Sequence, residues 1–92
     1  MEKGIAIITG ADGGMGQEIT LALAKDGFQI IMACKEPEKA SPVCERIKRE
    51  SGNEQIEVRG IDLSSLSSVY TFAQKILAEG RPVSRLMNNA GV

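Results

Sequence analysis

One stretch of this sequence combines residue types and spacing that suit anion binding: Thr9 to Gly16, which reads Thr-Gly-Ala-Asp-Gly-Gly-Met-Gly. An apolar run, Ile5 to Ile8, precedes it, and an amphipathic run, Gln17 to Lys25, follows it. This order predicts a strand, a glycine-rich turn and a helix start. Because glycine has no Cβ, a ligand can approach the backbone closely, and the N–H groups and dipole of a helix start favour an anion. We therefore predict a pyrophosphate-binding turn; the alternative is a structural turn with no ligand.

The spacing of the glycines distinguishes this turn from two common phosphate-binding motifs. No Gly-Lys-Ser/Thr follows, so the turn is not a P-loop. Gly14 and Gly16 supply the first part of G-x-G-x-x-G, but Ile19 occupies the third glycine position. The pattern that remains is Thr-Gly-x-x-x-Gly-x-Gly.

Alternating hydrophobic patterns surround the turn and must position it. Apolar runs predict strands at about 4–9, 28–34, 55–61 and 83–88. Helical patterns between them predict helices at about 14–26, 42–51 and 65–79. Strands that alternate with helices of this length indicate βαβ units, a parallel sheet and helices on both faces. The fold class is therefore α/β.

Three details of the helices follow from the same patterns. Pro42 fits the first position of the second helix, with Ser41 as its N-cap, and Gly27 fits just after the first helix. Ser64 or Ser65 should cap the third helix. The apolar residues expected to face the sheet are, in the first helix, Met15, Ile19, Ala22 and Leu23, and in the third helix, Leu66, Val69, Phe72, Ala73, Ile76 and Leu77.

Composition excludes several classes of protein. The chain has 92 residues, a net charge of −1 and 42% hydrophobic residues, which suits one small domain and argues against disorder. The charge balance gives no basis for nucleic-acid binding, and no apolar run is long enough for a membrane span. Cys34 and Cys44 fit no metal spacing, and one pair is a poor disulfide framework. Since the start has no signal-peptide pattern, a cytoplasmic protein is expected.

Three motifs in order resemble the short-chain dehydrogenase/reductase family. The first is the glycine turn, the second is Asp62-Leu63 after the third predicted strand, and the third is Asn88-Asn89-Ala90-Gly91 after the fourth. The retinol-dehydrogenase-like branch is the nearest, because it has Ala-Cys-Arg where this chain has Ala33-Cys34-Lys35. The resemblance covers essentially the whole chain. It implies a Rossmann-like β-α-β-α-β-α-β arrangement with strand order 3-2-1-4, in which residues 1–92 are the N-terminal part of one NAD(P)-binding domain.

The resemblance also implies an activity and a site. Members of the family are NAD(P)-dependent oxidoreductases, which transfer a hydride between the nicotinamide and a carbonyl or alcohol substrate. In the family, the acid at the position of Asp62 reaches the adenine ring, and the Asn-Asn-Ala-Gly segment lines the nicotinamide ribose. The cofactor-binding residues implied in this chain are Gly10, Asp12, Gly13, Gly14, Met15, Gly16, Cys34, Lys35, Asp62, Leu63, Asn89, Ala90 and Gly91.

The residues after the second strand bear on the choice between NADP and NAD. An acid about 20 residues after the glycine motif bonds the ribose 2′-hydroxyl of NAD, but Cys34 stands near that position and Lys35 follows it. By resemblance, Lys35 meets the 2′-phosphate of NADP; the alternative is an ordinary loop lysine. Asp12 opposes this choice, because a carboxylate near a 2′-phosphate is repulsive. NADP is therefore the predicted cofactor, with NAD as the alternative.

The family's catalytic Ser, Tyr and Lys are not found in these 92 residues. The one tyrosine, Tyr70, has Gln74 four positions on, so it begins no Tyr-x-x-x-Lys pair. We expect the chain alone to be inactive, and to be part of a longer, homo-oligomeric enzyme that acts on a small carbonyl or alcohol. The alternatives are a non-catalytic dinucleotide-binding regulatory module and another Rossmann-like domain, such as a methyltransferase.

Overall fold

Strands and helices alternate along the chain in the computed structural model, which describes residues 4–11, 13–62, 64–80 and 83–88. The strands are β1 (Ile5–Thr9), β2 (Gln29–Cys34), β3 (Ile56–Gly60) and β4 (Val83–Asn88). The helices are α1 (Gly14–Lys25), α2 (Pro37–Ser51) and α3 (Leu66–Ala78). The predicted order of elements is confirmed, and the largest difference in bounds is at the start of α2.

The strands form one parallel sheet in the order β3-β2-β1-β4, as predicted. Thr9 at the end of β1 lies opposite Ala33 in β2 and Asn88 in β4, and Cys34 lies opposite Gly60 in β3. The carboxyl ends of the strands therefore reach the same edge of the sheet. The strand order changes direction between β1 and β4, and in open parallel sheets ligands bind outside the carboxyl edge at such a switch point.

Apolar side chains bury both faces of the sheet. Alternate residues of a strand point to opposite faces, so Ala6 and Ile8 pack in the cluster with α1 and α2, whereas Ile5 and Ile7 pack in the cluster with α3. Nearly every residue of β2 is buried, as expected for a strand covered on both sides. Full burial of one isoleucine side chain stabilises the fold by roughly 1.5–3 kcal/mol. The predicted layers, helices on both faces of the sheet, are confirmed.

Helix α2 begins at Pro37, which corrects the predicted start near Pro42. Glu36 is the N-cap, and both Pro42 and Ser41, the predicted N-cap, lie inside the helix. Pro42 has no N–H to donate to the carbonyl four residues back. However, Ala40 is fully buried in the core, and its N–H donates to the Glu36 carbonyl at 3.3 Å. Burial of Ala40 therefore favours this extra turn despite the single missing hydrogen bond.

The face of α1 that packs on the sheet also differs from the prediction. The buried residues are Gly16, Thr20 and Ala24, which are small and recur every four positions, whereas Met15 and Ala22 are exposed. The Thr20 hydroxyl donates to the Gly16 carbonyl at 2.7 Å, which satisfies this polar group inside the core. Small residues thus let the helix approach the sheet closely. The other predicted residues, Ile19 and Leu23, are partly buried against the same core.

Helix α3 covers the other face of the sheet less completely than predicted. Ile76 is buried, and Val69 and Phe72 pack partly against the same cluster as Ile7 of β1. The remaining predicted residues are exposed: Leu66, Ala73 and Leu77. An apolar groove of about 430 Å³ lies between α3 and the sheet, and Leu86 of β4 forms part of its wall. No described element fills the groove, so the outer part of the predicted stripe stays in contact with solvent.

The helix ends carry the predicted signals. Gly27 follows α1 with φ 95°, a conformation that glycine adopts without strain. Ser65 caps α3, and its hydroxyl accepts the N–H of Ser68 at 3.3 Å. Tyr70 lies exposed on α3, as predicted. Among the helices of the described ranges, none combines the length and the apolar character that crossing a bilayer requires.

Candidate functional site

The glycine turn connects the end of β1 to the start of α1. Gly10 leaves the strand with φ 64°, a left-handed conformation that favours glycine, and its N–H donates to the Ala33 carbonyl at 3.0 Å. The Gly13 N–H donates back to the Gly10 carbonyl at 3.2 Å. The Gln17 N–H then donates to the Gly13 carbonyl at 2.8 Å, which starts the helix. These bonds fix a tight turn at the carboxyl edge of the sheet.

Three N–H groups at the start of α1 have no acceptor in the described part of the chain. They belong to Gly14, Met15 and Gly16, which precede the first helical hydrogen bond. Gly13 is the N-cap, with an extended backbone (φ −79°, ψ 168°) and no side-chain cap, and the first turn holds no acidic residue. These N–H groups and the helix dipole create a region of positive potential that suits an anion.

The need for glycine differs between positions of the turn. Gly10 needs it because of its positive φ. A Cβ on Gly14 would meet no atom within 4 Å, and one on Gly13 would lie at an ordinary contact distance, 3.6 Å, from the Gly10 carbonyl oxygen. Nothing in the described fold therefore excludes alanine at Gly14. A bare backbone there is useful to a ligand that packs against the N–H groups, which favours a binding turn over a purely structural one.

Lys35 and Asp62 follow β2 and β3 at the same edge of the sheet, and Lys35 is exposed. The Asp62 carboxylate accepts the Ser64 hydroxyl at 2.6 Å and the Ser64 N–H at 3.0 Å. These donors, and then the charge of Lys35, lower the pKa of Asp62 below its ordinary value of 3.8. Asp62 is therefore ionised at neutral pH, so the edge offers a cation and an anion near one another.

Serine side chains hold the loop around Asp62. The Asp62 N–H donates to the Ser68 hydroxyl at 2.9 Å, and the Ser65 N–H donates to the Asp62 carbonyl at 3.1 Å. Sequence reasoning identified Ser65 as a cap, but it missed Ser64 and Ser68 as partners of Asp62. The spacing Asp-x-Ser is typical of a turn in which a carboxylate bonds the backbone two residues on, and this signal could have identified Ser64.

The described residues of the predicted site lie at the carboxyl edge of the sheet. They are Gly10, Gly13, Gly14, Met15 and Gly16 in the turn, Cys34 and Lys35 after β2, and Asp62 after β3. The side chain of Cys34 is buried in the core, 1% exposed, so a ligand at this edge can reach only its backbone. The other predicted positions, Asp12, Leu63, Asn89, Ala90 and Gly91, lie outside the described residues.

The end of β4 lies beside the start of the glycine turn. The Thr9 hydroxyl donates to the Met87 carbonyl at 3.4 Å, and Asn88 lies opposite Thr9 in the strand register. The start of the Asn-Asn-Ala-Gly segment is thus next to the start of the Thr-Gly segment. Two motifs that are far apart in the sequence therefore meet at the switch point of the sheet.

The arrangement can bind and orient a ligand, but the sequence supplies few groups for proton transfer. There is no histidine, and the one tyrosine, Tyr70, lies on α3 with Gln74 four positions on. The glycine turn offers N–H donors to an anion, Lys35 offers a point charge, and Asp62 offers an acceptor. These groups are suited to the recognition of a ligand.

A parallel sheet in the order 3-2-1-4, with a glycine turn and an open helix start at its switch point, defines a Rossmann-type fold. The chain matches the family model of the short chain dehydrogenases over residues 4–92. It belongs to this family, as its motifs predicted.

Known proteins similar to this chain agree with that assignment. The chain is 40% identical over 88 residues to human retinol dehydrogenase 11, a match that covers 96% of this chain and 28% of that protein. It is 43% identical over 86 residues to human retinol dehydrogenase 13, covering 94% of this chain and 26% of that protein. This chain therefore spans little more than a quarter of the length of these relatives.

A solved structure with a similar fold is a metagenomic short-chain oxidoreductase in complex with NADP. It superposes with a TM-score of 0.86 at 31% sequence identity, over 100% of this chain and 41% of that one. The Rossmann fold of the chain is therefore shared with members of the family that have been solved.

Proposed function

We propose that this chain is the cofactor-binding part of an NADP-dependent oxidoreductase. In this proposal the glycine turn binds the pyrophosphate, Lys35 binds the 2′-phosphate and Asp62 contacts the adenine. The parent enzyme then transfers a hydride between the nicotinamide and a carbonyl or alcohol group of a small substrate. The retinol dehydrogenases that the chain resembles make a hydrophobic alcohol or aldehyde the first substrate class to test.

The observation that carries the proposal is the open start of α1. Gly14, Met15 and Gly16 present N–H groups that no described residue accepts, and Gly14 is a glycine that the fold itself does not require. A dinucleotide pyrophosphate supplies both the missing acceptors and the reason for a bare backbone. NADP in the solved relative of 31% identity supports the choice of ligand.

Lys35 supports NADP over NAD. It is exposed at the end of β2, where an acid would be needed to bond the ribose 2′-hydroxyl of NAD. An ammonium on a flexible chain suits a phosphate as a point charge. Lys35 also lies near enough to Asp62 for its charge to contribute to the lowered pKa of that carboxyl.

Substitution of Gly14 by alanine separates binding from structure. The new Cβ meets no neighbouring atom within 4 Å in the part of the chain that the structure describes, and alanine is favoured over glycine in helices by up to about 1 kcal/mol. The variant should therefore be at least as stable as the original. In the proposed complex the same Cβ would lie against the pyrophosphate. Steric overpacking costs about 1–3 kcal/mol, so the affinity for NADPH should fall roughly tenfold or more. Calorimetric titration and thermal unfolding measure the two effects.

The matched control is Ala22→Gly, on the exposed face of the same helix. It should lower stability and leave the NADPH affinity unchanged, the reverse of Gly14→Ala. If NADPH does not bind the original chain at millimolar concentration, or binds Gly14→Ala equally well, the proposed role of the turn is wrong.

The chain by itself should lack oxidoreductase activity. In the family the proton is transferred by the tyrosine of a Tyr-x-x-x-Lys pair, and the 92 residues contain no such pair. We expect no turnover above buffer when the purified chain is mixed with NADPH and a panel of aldehydes and ketones. Turnover that survives repurification would contradict this expectation. NADPH binding without turnover also fits the alternative of a regulatory module, which a parent gene without a Tyr-x-x-x-Lys pair would favour.

A further inference from the structure

We propose that Met15 is an oxidation site through which peroxide controls dinucleotide binding, an inference that rests on the proposed function. Met15 is the second residue of α1, and 69% of its surface is exposed. It stands between Gly14 and Gly16, which have no side chains. Its thioether therefore faces solvent beside the N–H groups that the pyrophosphate would occupy.

The reaction is a two-electron oxidation by hydrogen peroxide. A lone pair of the Met15 sulfur attacks one peroxide oxygen, the S–O bond forms and the O–O bond breaks, and the second oxygen leaves as water after proton transfer. Sulfur is oxidised to the sulfoxide and the peroxide is reduced. Methionine sulfoxide reductases reverse the step at the expense of a thiol reductant, so the modification can act as a switch.

Burial makes Met15 the selective target among the described sulfur groups. Met32 is fully buried and Met87 is half-buried, so peroxide reaches them less readily. Cys34 and Cys44 are both buried, and burial raises the pKa of the Cys44 thiol, which keeps it in the less reactive protonated form. Among the described sulfur groups, the Met15 thioether is therefore the most accessible to an oxidant that enters from solvent.

Oxidation changes the chemistry of the turn without touching the core. The sulfoxide oxygen is a polar acceptor on a side chain that was apolar. It can accept the N–H groups at the start of α1, which are the donors proposed for the pyrophosphate. The partial negative charge on the sulfoxide oxygen also repels a pyrophosphate bound at the same position. Loss of one hydrogen bond to a charged group corresponds to roughly a tenfold loss of affinity.

The test treats the 92-residue chain with hydrogen peroxide, removes the peroxide with catalase and titrates NADPH by calorimetry. Peptide mass spectrometry follows each methionine separately. We expect Met15 to be oxidised well before Met32 and Met87, and NADPH to bind about tenfold more weakly afterwards. Bound NADPH should slow the oxidation of Met15, and treatment with methionine sulfoxide reductases should restore the affinity.

Two variants make the result specific. Met15→Leu should have an NADPH affinity that peroxide no longer changes, whereas Met87→Leu should remain as sensitive as the original chain. The inference is overturned if Met15 is not oxidised before Met32 and Met87, if its oxidation leaves the NADPH affinity unchanged, or if peroxide still weakens NADPH binding to Met15→Leu. Failure of the untreated chain to bind NADPH would instead refute the proposed function, and with it this switch.

Discussion

The N–H of Ile61 donates to the carbonyl of Cys34 at 2.9 Å, which extends the pairing of β2 and β3 by one residue beyond the end of β3. The next residues, Lys35 and Asp62, thus leave neighbouring strand ends side by side. The two charges act on each other, since Lys35 contributes to the lowered pKa of Asp62. A backbone hydrogen bond between two buried residues thus directly precedes the two charged residues at the proposed adenosine end of the site.

Replacement of Lys35 by alanine should weaken the binding of NADPH and leave the binding of NADH nearly unchanged. The lost contact is a charge-assisted hydrogen bond at an exposed position, which contributes about 1–2 kcal/mol after a discount for solvent, or roughly a tenfold change in affinity. Calorimetry with both cofactors measures the difference. Lys25, another exposed lysine, is the last residue of α1. It provides the control, because Lys25→Ala removes the same charge at the opposite edge of the sheet. Equal weakening of both cofactors by Lys35→Ala would refute the assignment.

The carboxylate of Asp12 is predicted to oppose the preference for NADPH that Lys35 confers. That position lies outside the described residues, so the opposition stays a prediction. If it is correct, Asp12→Asn should strengthen NADPH binding, because a negative charge near the 2′-phosphate is removed. The same titration, repeated with this variant, tests it.

The stability contributed by Asp62 should depend on pH in a defined direction. Its folded pKa lies below the ordinary value of 3.8, chiefly because of the two hydrogen bonds from Ser64. A depressed folded pKa contributes stability that is fully present above the unfolded pKa and is lost as the pH falls through the folded pKa. The stability difference between the original chain and Asp62→Asn should therefore shrink as the pH is lowered below about 4.

Ser64→Ala provides the control for this titration. It removes the hydroxyl donor but keeps the N–H donor, so the pKa of Asp62 should rise toward its ordinary value without reaching it. Carboxyl NMR shifts recorded against pH report this pKa directly. An unchanged pKa in Ser64→Ala would mean that the hydroxyl contact does not persist in solution.

Hydrophobic periodicity was enough to predict the parallel sheet and its helices, the glycine spacing predicted the turn, and the family resemblance implied the strand order. Periodicity failed where small residues form the contact surface. The hydrophobic pattern of α1 predicted that Met15 faces the sheet, because Met15 is large and apolar. The structure buries Gly16 and Thr20 instead, since only small residues let the helix lie close to the sheet. Hydrophobic periodicity reflects the apolarity of side chains, and a close approach between backbones leaves no trace in it.

The start of α2 could not be predicted for a related reason. Proline normally interrupts a helix. In α2, however, a full helical turn precedes Pro42, and Ala40 in that turn is buried in the core. Tertiary packing determines where α2 begins, and the local sequence carries no signal of that packing. The contacts of Ser68 and Asp62 likewise depend on how α3 meets the end of β3, which is fixed only when the sheet has formed.

Asn53 should be a strong determinant of stability at the opposite edge of the sheet. Its side-chain amide donates to the carbonyls of Ala24 at 3.1 Å and Phe28 at 2.7 Å, and its oxygen accepts the Gln55 N–H at 2.8 Å. One side chain thus joins the end of α1, the start of β2 and the approach to β3. Asn53→Ala should lower the free energy of unfolding by about 1–3 kcal/mol.

Asn53→Asp separates hydrogen bonding from size. The aspartate has nearly the same shape, but it turns a carboxylate oxygen toward two carbonyl oxygens. It should therefore destabilise more than Asn53→Ala, and the gap should grow as the pH rises through the carboxyl pKa. Urea unfolding at several pH values measures this, with the exposed neighbour change Glu54→Ala as control. A more stable Asn53→Asp would show that the amide donors contribute little.

The isolated chain should associate through β4 and the apolar groove beside it. In the described sheet β4 pairs with β1 on one side only, so its outer edge presents backbone groups that another strand can pair with. The groove between α3 and the sheet adds exposed apolar surface, and Leu77 and Leu86 are 73% and 67% exposed on it. Edge and groove are adjacent, so one partner can cover both.

Light scattering at about ten to one hundred micromolar, a range in which exposed edges and apolar surface promote aggregation, should report a dimer or larger species for the original chain. Leu86→Lys places a charge in the groove, which opposes burial of this surface, and it should shift the population toward monomer. Ala22→Lys, which adds the same charge at an exposed position of α1 on the other face of the sheet, should leave the association unchanged. A clean monomer for the original chain would refute the prediction. An equal shift in both variants would show that net charge, rather than the groove, controls the association.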